Sequence, residues 1–165
     1  MKAIEALKEL LKAECRANHP NLPEHAVTVN TFDKMKPEKK EKKRIEAFLL
    51  ASGHWAAIIE NRGQRVDNRQ TVTDTIGRQK VIGSVEFIGS GMRKGLADIV
   101  ATINGKSIGI ELKRIYKNGK DRQSKSQVLE QSRMENGGGQ YWIVSSFEDF
   151  YQKYNEYLKI NIEKS

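Results

Sequence analysis

Residues 95–113 read GLADIVATINGKSIGIELK, two apolar-alternating runs on either side of Asn104-Gly105. Asn-Gly between such runs predicts a two-residue β-hairpin, because a type I′ turn needs positive φ at both central residues. The turn sets the register. Ile103 faces Lys106, and counting outward puts Asp98 opposite Glu111. One face then carries Ala97, Ile99, Ala101 and Ile103 with Ile108, Ile110 and Leu112, the expected core side. The other carries Asp98, Val100 and Thr102 with Ser107, Gly109 and Glu111, and Lys113 follows two residues on. Like charges directly opposite one another destabilise a sheet, so two facing carboxylates predict something positive between them. Lys113 is one candidate and a divalent metal ion is the other.

The chain has 165 residues and one cysteine, Cys15. That length suits one domain with a core that needs no disulfides, and a lone thiol excludes a cysteine-based zinc site. The opening MKAIEALKELL is interrupted by Glu5, Lys8 and Glu9, so it lacks the apolar stretch of a signal peptide. No apolar run approaches the roughly 20 residues needed to cross a bilayer. A cytoplasmic protein with no membrane partner is expected. The formal charge of +8 favours a polyanionic partner. Much of it falls in residues 33–46, DKMKPEKKEKKRIE, where a solvated helix start and phosphate contact are equally good readings.

Around the hairpin the patterns are simpler. Ile4, Leu7 and Leu11 recur at helical spacing and predict a first helix ending near Asn18-His19-Pro20. Residues 1–36 read as an N-terminal helix and linker, an appendage to a domain over 37–165. A second helix should start at Pro37, bury Ile45, Phe48 and Leu49, and stop at Gly53. Residues 55–60 read as a short buried strand and 81–88 as another. The polar stretch 64–80 between them is either a mobile excursion or a long exposed hairpin. Residues 114–125 read as a loop, followed by a helix from Ser124 to Asn136, a glycine stop and a strand at 141–144. Ser145-Ser146-Phe147-Glu148 has the capping-box pattern for a last helix, along which Phe147, Phe150, Tyr151, Tyr154 and Leu158 form a packing stripe. His19, His25 and His54 have no metal-ligand spacing. Arg93 and Lys94, in the glycine-rich loop before Asp98, are candidates to grip phosphate, as more weakly are Lys117, Lys120 and Arg122.

Helix, strand, strand, hairpin, helix, strand, helix, with Asp98, then Glu111-Leu112-Lys113, then Gln127, resembles the PD-(D/E)XK nuclease superfamily. Within it the chain is similar to the virus-type replication-repair nuclease (VRR-NUC) family over roughly residues 41–150. The likeness rests on Lys94-Gly95-Leu96-Ala97-Asp98, Ile110-Glu111-Leu112-Lys113, Ser126-Gln127, and the glycine turn before the strand that runs into Ser145-Ser146-Phe147-Glu148-Asp149-Phe150. Glu46 matches an acidic residue in the helix ahead of the family's first strand, and Asn61-Arg62-Gly63 matches its Asn-x-Gly turn, placing Arg62 among the nucleic-acid contacts. Ala97 stands where the family usually has proline, a change that removes no functional group.

The resemblance implies an α/β fold with a restriction-endonuclease-like core, a mixed central sheet flanked by helices. It implies a magnesium-dependent DNA endonuclease, with manganese as a substitute, selective for branched or flapped DNA in repair or replication. Asp98 and Glu111 would ligate the metal with the Leu112 carbonyl, and Glu46 would reach it through water. Lys113 would position the attacking water and stabilise transition-state charge, with Gln127 orienting either one. Stand-alone members of the family look like homodimers, so a homodimer is among the options. Two other readings stay open: a non-catalytic nucleic-acid-binding module on the same core, and a sequence-specific restriction endonuclease.

Overall fold

The computed structural model describes residues 2–60, 64–88, 91–113, 115–116, 119–120 and 122–162. The chain divides into two compact units, Met1–Ile59 with Gly95–Ser165, and Glu60–Lys94. The first contains α1 (Ala3–Asn18), α2 (Pro37–Ala51) and β1 (Trp55–Ile58). The second contains β2 (Gln64–Asp67), β3 (Gln70–Thr73), β4 (Gln79–Ile82) and β5 (Val85–Ile88). The first unit resumes with β6 (Ile99–Ile103), β7 (Lys106–Leu112), the two-residue strands β8 (Ile115–Tyr116) and β9 (Gly119–Lys120), α3 (Lys125–Asn136), β10 (Gln140–Val144) and α4 (Phe147–Ile162).

The fold is mixed α/β. Its sheet runs β1-β6-β7-β10, antiparallel in the first two pairings and parallel in the last. The hairpin has the register its turn dictates, from Ile103 opposite Lys106 out to Ile99 opposite Ile110. Asn104 and Gly105 both adopt the positive φ expected of them, 49° and 76°. Because β7 and β10 are parallel, the chain must cross over between them, and α3 is the helix of that crossover.

Ile99, Ala101, Ile103, Ile108 and Ile110 are fully buried on one face, with Trp142 and Val144 from β10. Against them pack Ile45, Phe48 and Leu49 of α2 and Phe147, Phe150, Tyr154 and Tyr157 of α4. The Phe48 ring meets those of Phe147, Phe150, Tyr151 and Tyr154 edge-on at 5.1 to 6.0 Å. Such pairs each add about 0.5–1.5 kcal/mol beyond area burial, so the aromatic stripe of α4 is a packing device. His54 belongs to it as well. Its Nε2 lies 2.8 Å from the Tyr154 hydroxyl, and burial lowers its pKa.

α2 ends as its sequence foretells. The His54 N–H bonds to the Leu49 carbonyl and the Gly53 N–H to that of Leu50, which is a Schellman closure. α1, expected as an appendage, is built into the core of the first unit: Ala3 and Leu7 are completely buried in it. The cap of α4 falls one residue later than the Ser145-x-x-Glu148 pattern suggests. Ser146 Oγ accepts from the Asp149 N–H at 3.2 Å, and the Asp149 carboxylate accepts from the Ser145 N–H and hydroxyl. Glu148, released from that role, accepts instead from the Ala3 N–H at the start of α1.

β1 is not the buried strand its sequence suggests, since Trp55 is 57% exposed. It pairs with Thr102 on the face away from the core, and α3 covers β7 and β10 on that side. In the second unit, β2 pairs with β5 and β3 with β4, giving the long exposed hairpin rather than an irregular excursion. The expected strand at 81–88 is split at Gly83-Ser84. Gly83 has φ +98°, and a Cβ there would stand 2.3 Å from the Asn68 carbonyl oxygen. Residues 114–125 include the short β8–β9 pairing in place of a plain loop.

Candidate functional site

The acids of the hairpin lie where β6 and β7 part, while β7 stays paired with β10 through Leu112. The β6–β7 ladder stops at Ile99 opposite Ile110, one pair short of Asp98 and Glu111. Asp98 still extends the sheet through its backbone, accepting from the Ile59 N–H at 2.8 Å. Its side chain does the rest: Oδ2 accepts from the Leu112 N–H at 2.9 Å, fixing the carboxylate against the neighbouring strand. Ala97 departs from the expected alternation. It is buried, but its Cβ lies 3.2 Å from where a Gly109 Cβ would be, on the face opposite Ile99. Pairing has not yet begun at Ala97, so the strict period of two does not extend to it.

Glu111 is 4% exposed, on the face covered by α3. Its Oε1 accepts from Gln127 Nε2 at 2.5 Å and lies 3.4 Å from Lys113 Nζ, while Oε2 accepts from the Tyr141 hydroxyl at 3.3 Å. Burial raises the Glu111 pKa, and the Asp98 charge raises it further; the Lys113 ammonium opposes both without cancelling them. The same two effects, burial and then the Glu111 charge, push the Tyr141 phenol up. Tyr141 therefore stays a neutral donor.

Gln127 is placed by the start of α3. Ser124 is the N-cap, accepting from the Gln127 N–H, and the Gln127 side chain returns to the Ser124 N–H at 2.9 Å. Its Oε1 also accepts from Lys113 Nζ at 2.9 Å, and its Nε2 faces Glu111. Only this amide orientation satisfies all three neighbours, because a flip would set NH2 against an ammonium and an N–H. Lys113, 9% exposed, is further anchored by its backbone N–H to the Val144 carbonyl.

Asp98, Glu111, Lys113 and Gln127 are thus brought together. Leu112 contributes its N–H to Asp98 and packs its side chain against the core. Glu46 is tied elsewhere, to Lys43 at 2.7 Å and more loosely to the Ile58 N–H at 3.4 Å. Arg122 is exposed ahead of α3, and Arg93 and Lys94 are exposed in the second unit. Arg62, Lys117 and the side chain of Lys120 lie outside the described residues. Sequence reading missed two members of the cluster. Tyr141 is one, and Lys42 is the other, its Nζ 2.6 Å from Asp98 Oδ1. Burial lowers the Lys42 pKa, but its bonds to Asp98 and Glu38 outweigh that and raise it overall. The signal for Lys42 was its spacing of four from both Glu38 and Glu46, which puts all three on one face of α2.

Among the described residues, no group of three or more His, Cys, Asp and Glu side chains is placed to hold a metal ion. Two carboxylates, one of them raised in pKa by burial first and by the other's charge second, would suit a hard cation that keeps most of its water. Such a donor set is of the oxygen type that magnesium would accept, and it is too small for a closed zinc or calcium cage. Among the described residues, no helix is long and apolar enough to cross a membrane. No protein-family model, curated protein or solved structure matches this chain.

The approach to this cluster is tight at Gly95. With φ +92°, a Cβ there would lie 2.4 Å from the Ser126 carbonyl carbon and oxygen and 2.8 Å from the Gln127 nitrogen. Gly95→Ala is expected to cost about 2 kcal/mol or more, because neither strain nor clash can relax without moving the first turn of α3. Urea denaturation of the variant measures this directly. A loss under about 0.5 kcal/mol would contradict the close packing.

Proposed function

We propose that this chain is a metal-dependent nuclease that hydrolyses DNA phosphodiester bonds, with the sheet and its helices forming a restriction-endonuclease-like core of the PD-(D/E)XK kind. The observation that carries this reading is the Lys113 ammonium held between Gln127 and Glu111, with a second acid, Asp98, on the next strand end. Asp98 and Glu111, with the Leu112 carbonyl, would hold magnesium or manganese, and Glu46 would act through water. The ion would polarise the phosphate and lower the pKa of a bound water.

The protein's own groups supply the rest. Gln127 Oε1 fixes the direction of the Lys113 ammonium, so a cationic donor is aimed before substrate arrives. Such preorganised donors act where charge develops during phosphoryl transfer. Tyr141 and Gln127 hold Glu111 in one orientation from opposite oxygens. The net charge of +8, with Arg93, Lys94 and Arg122 exposed, suits a phosphate backbone without reading its sequence. We extend the reading to branched or flapped DNA in repair or replication, with a homodimer as the form that would cut both strands of a junction.

Incubation with branched, nicked and linear DNA, in magnesium and then in EDTA, tests this. Nicking that needs the metal and favours branched substrates is expected. Binding without cleavage under both conditions would replace the nuclease with a binding module, and a fixed fragment pattern on long linear DNA would replace it with a restriction enzyme.

A further inference from the structure

Asp98 is held by an ammonium group that has no part in the chemistry above. Lys42 Nζ sits 2.6 Å from Asp98 Oδ1 and 3.1 Å from Oε1 of Glu38, one turn earlier on α2. The Lys42 side chain is 15% exposed, whereas that of Glu38 is 43% exposed. One cation is therefore shared between a carboxylate at the acid pair and another nearer solvent. Building on the metal-dependent reading, we infer that Lys42 is an internal counter-cation, neutralising Asp98 in the metal-free protein and passing to Glu38 when a divalent ion takes that carboxylate.

Three features of the geometry lead here. An ammonium and a dication at one partly buried carboxylate repel strongly, because little water lies between them to screen the charges. Lysine carries its charge on a flexible four-carbon stem, and a glutamate four residues earlier on the helix is its favoured partner. Release of Oδ1 also leaves the Leu112 N–H on Oδ2, so Asp98 stays aimed while its counter-ion changes. The exchange makes the site avoid an uncompensated acid pair at low metal concentration, and it weakens apparent metal affinity by the strength of the bond that must be broken.

Calorimetric titration of magnesium and of manganese, with no DNA present, tests this on the full chain. Lys42→Met should bind either ion about tenfold more tightly, the scale of one partly buried ion pair. Its metal-free melting midpoint should fall, and saturating metal should restore it. Glu38→Gln should bind about threefold more weakly, and that effect should vanish in the Lys42→Met background, since both act through one contact. Lys39→Met removes the same charge from an exposed position on α2 and should stay within about twofold of wild type.

Unchanged or weaker binding by Lys42→Met overturns the inference, as does an equal gain in Lys39→Met. So does a Glu38→Gln effect that persists at full size in the double variant. Should Lys42→Met fail to fold, wild-type affinity in Glu38→Gln overturns it alone. If neither wild type nor Lys42→Met binds either ion, the metal-dependent reading falls and takes the counter-cation with it. Metal binding by wild type with no change on substitution removes only the role of Lys42.

Discussion

Lys113→Met should reduce cleavage by about a hundredfold to a thousandfold, the usual cost of removing one preorganised transition-state donor, while leaving divalent-ion affinity at or slightly above wild type. The two readouts separate because Lys113 sits against Glu111 without being a ligand. Its Nζ lies 3.4 Å from Glu111 Oε1 and 2.9 Å from Gln127 Oε1. Removing a positive charge from beside a carboxylate makes that carboxylate a better cation site. Methionine is chosen because it retains the apolar stem of a buried lysine, so packing losses stay small. Single-turnover cleavage at saturating metal gives the first quantity, and calorimetric titration gives the second. Parallel loss of both would mean that Lys113 holds the site together instead of acting on substrate.

How far these roles were legible differs residue by residue, and the difference has a physical basis. Asn104-Gly105 dictates its own turn, and the turn dictates which residues of β6 and β7 meet, so the ladder was readable five pairs deep. Pro37 and Gly53 act within a few residues of themselves and mark the ends of α2, and the start expected near Ser124 is where the N-cap of α3 falls. Ala97 and the Asp98–Glu111 pairing were extrapolations past the last laddered pair, where a period of two has no force behind it. The cap of α4 was misplaced because Ser145 and Ser146 both precede an acidic residue at the right distance. Local pattern cannot choose between two such frames; Glu148 is drawn to α1, and Asp149 is left to close the cap. Lys42 and Asp98 lie 56 positions apart. Their meeting depends on how α2 crosses the end of the sheet, and no sequence period carries that information. The same holds for α1, whose apolar stripe was visible but whose partner was not.

Glu111→Gln offers a prediction with two opposite signs. Divalent binding and cleavage should both be lost, because a neutral amide replaces one of the two carboxylates proposed to hold the ion directly, yet the metal-free protein should become more stable at neutral pH. The reason lies in the direction of the Glu111 pKa, raised by burial first and the Asp98 charge second, over the opposing pull of Lys113. An acid with a raised folded-state pKa is ionised more easily after unfolding. Below the ordinary carboxylate pKa both states carry the proton, and glutamate and glutamine are close to equivalent. As pH climbs through that value the unfolded chain gives up its proton first, and the fold loses stability until the folded-state pKa is passed. The gap between variant and wild type should therefore be near zero at about pH 4 and open as pH rises towards neutrality. In EDTA at pH 7 the variant should melt higher than wild type, and thermal scans across this pH range measure the gap. If the proposed site holds magnesium, saturating metal should reverse the order, since only the wild type would then be bound and stabilised. A variant that melts lower than wild type in EDTA at every pH would mean that the Lys113 and Tyr141 contacts outweigh the burial of the charge, and the acid pair would then lack the excess negative potential that draws a cation.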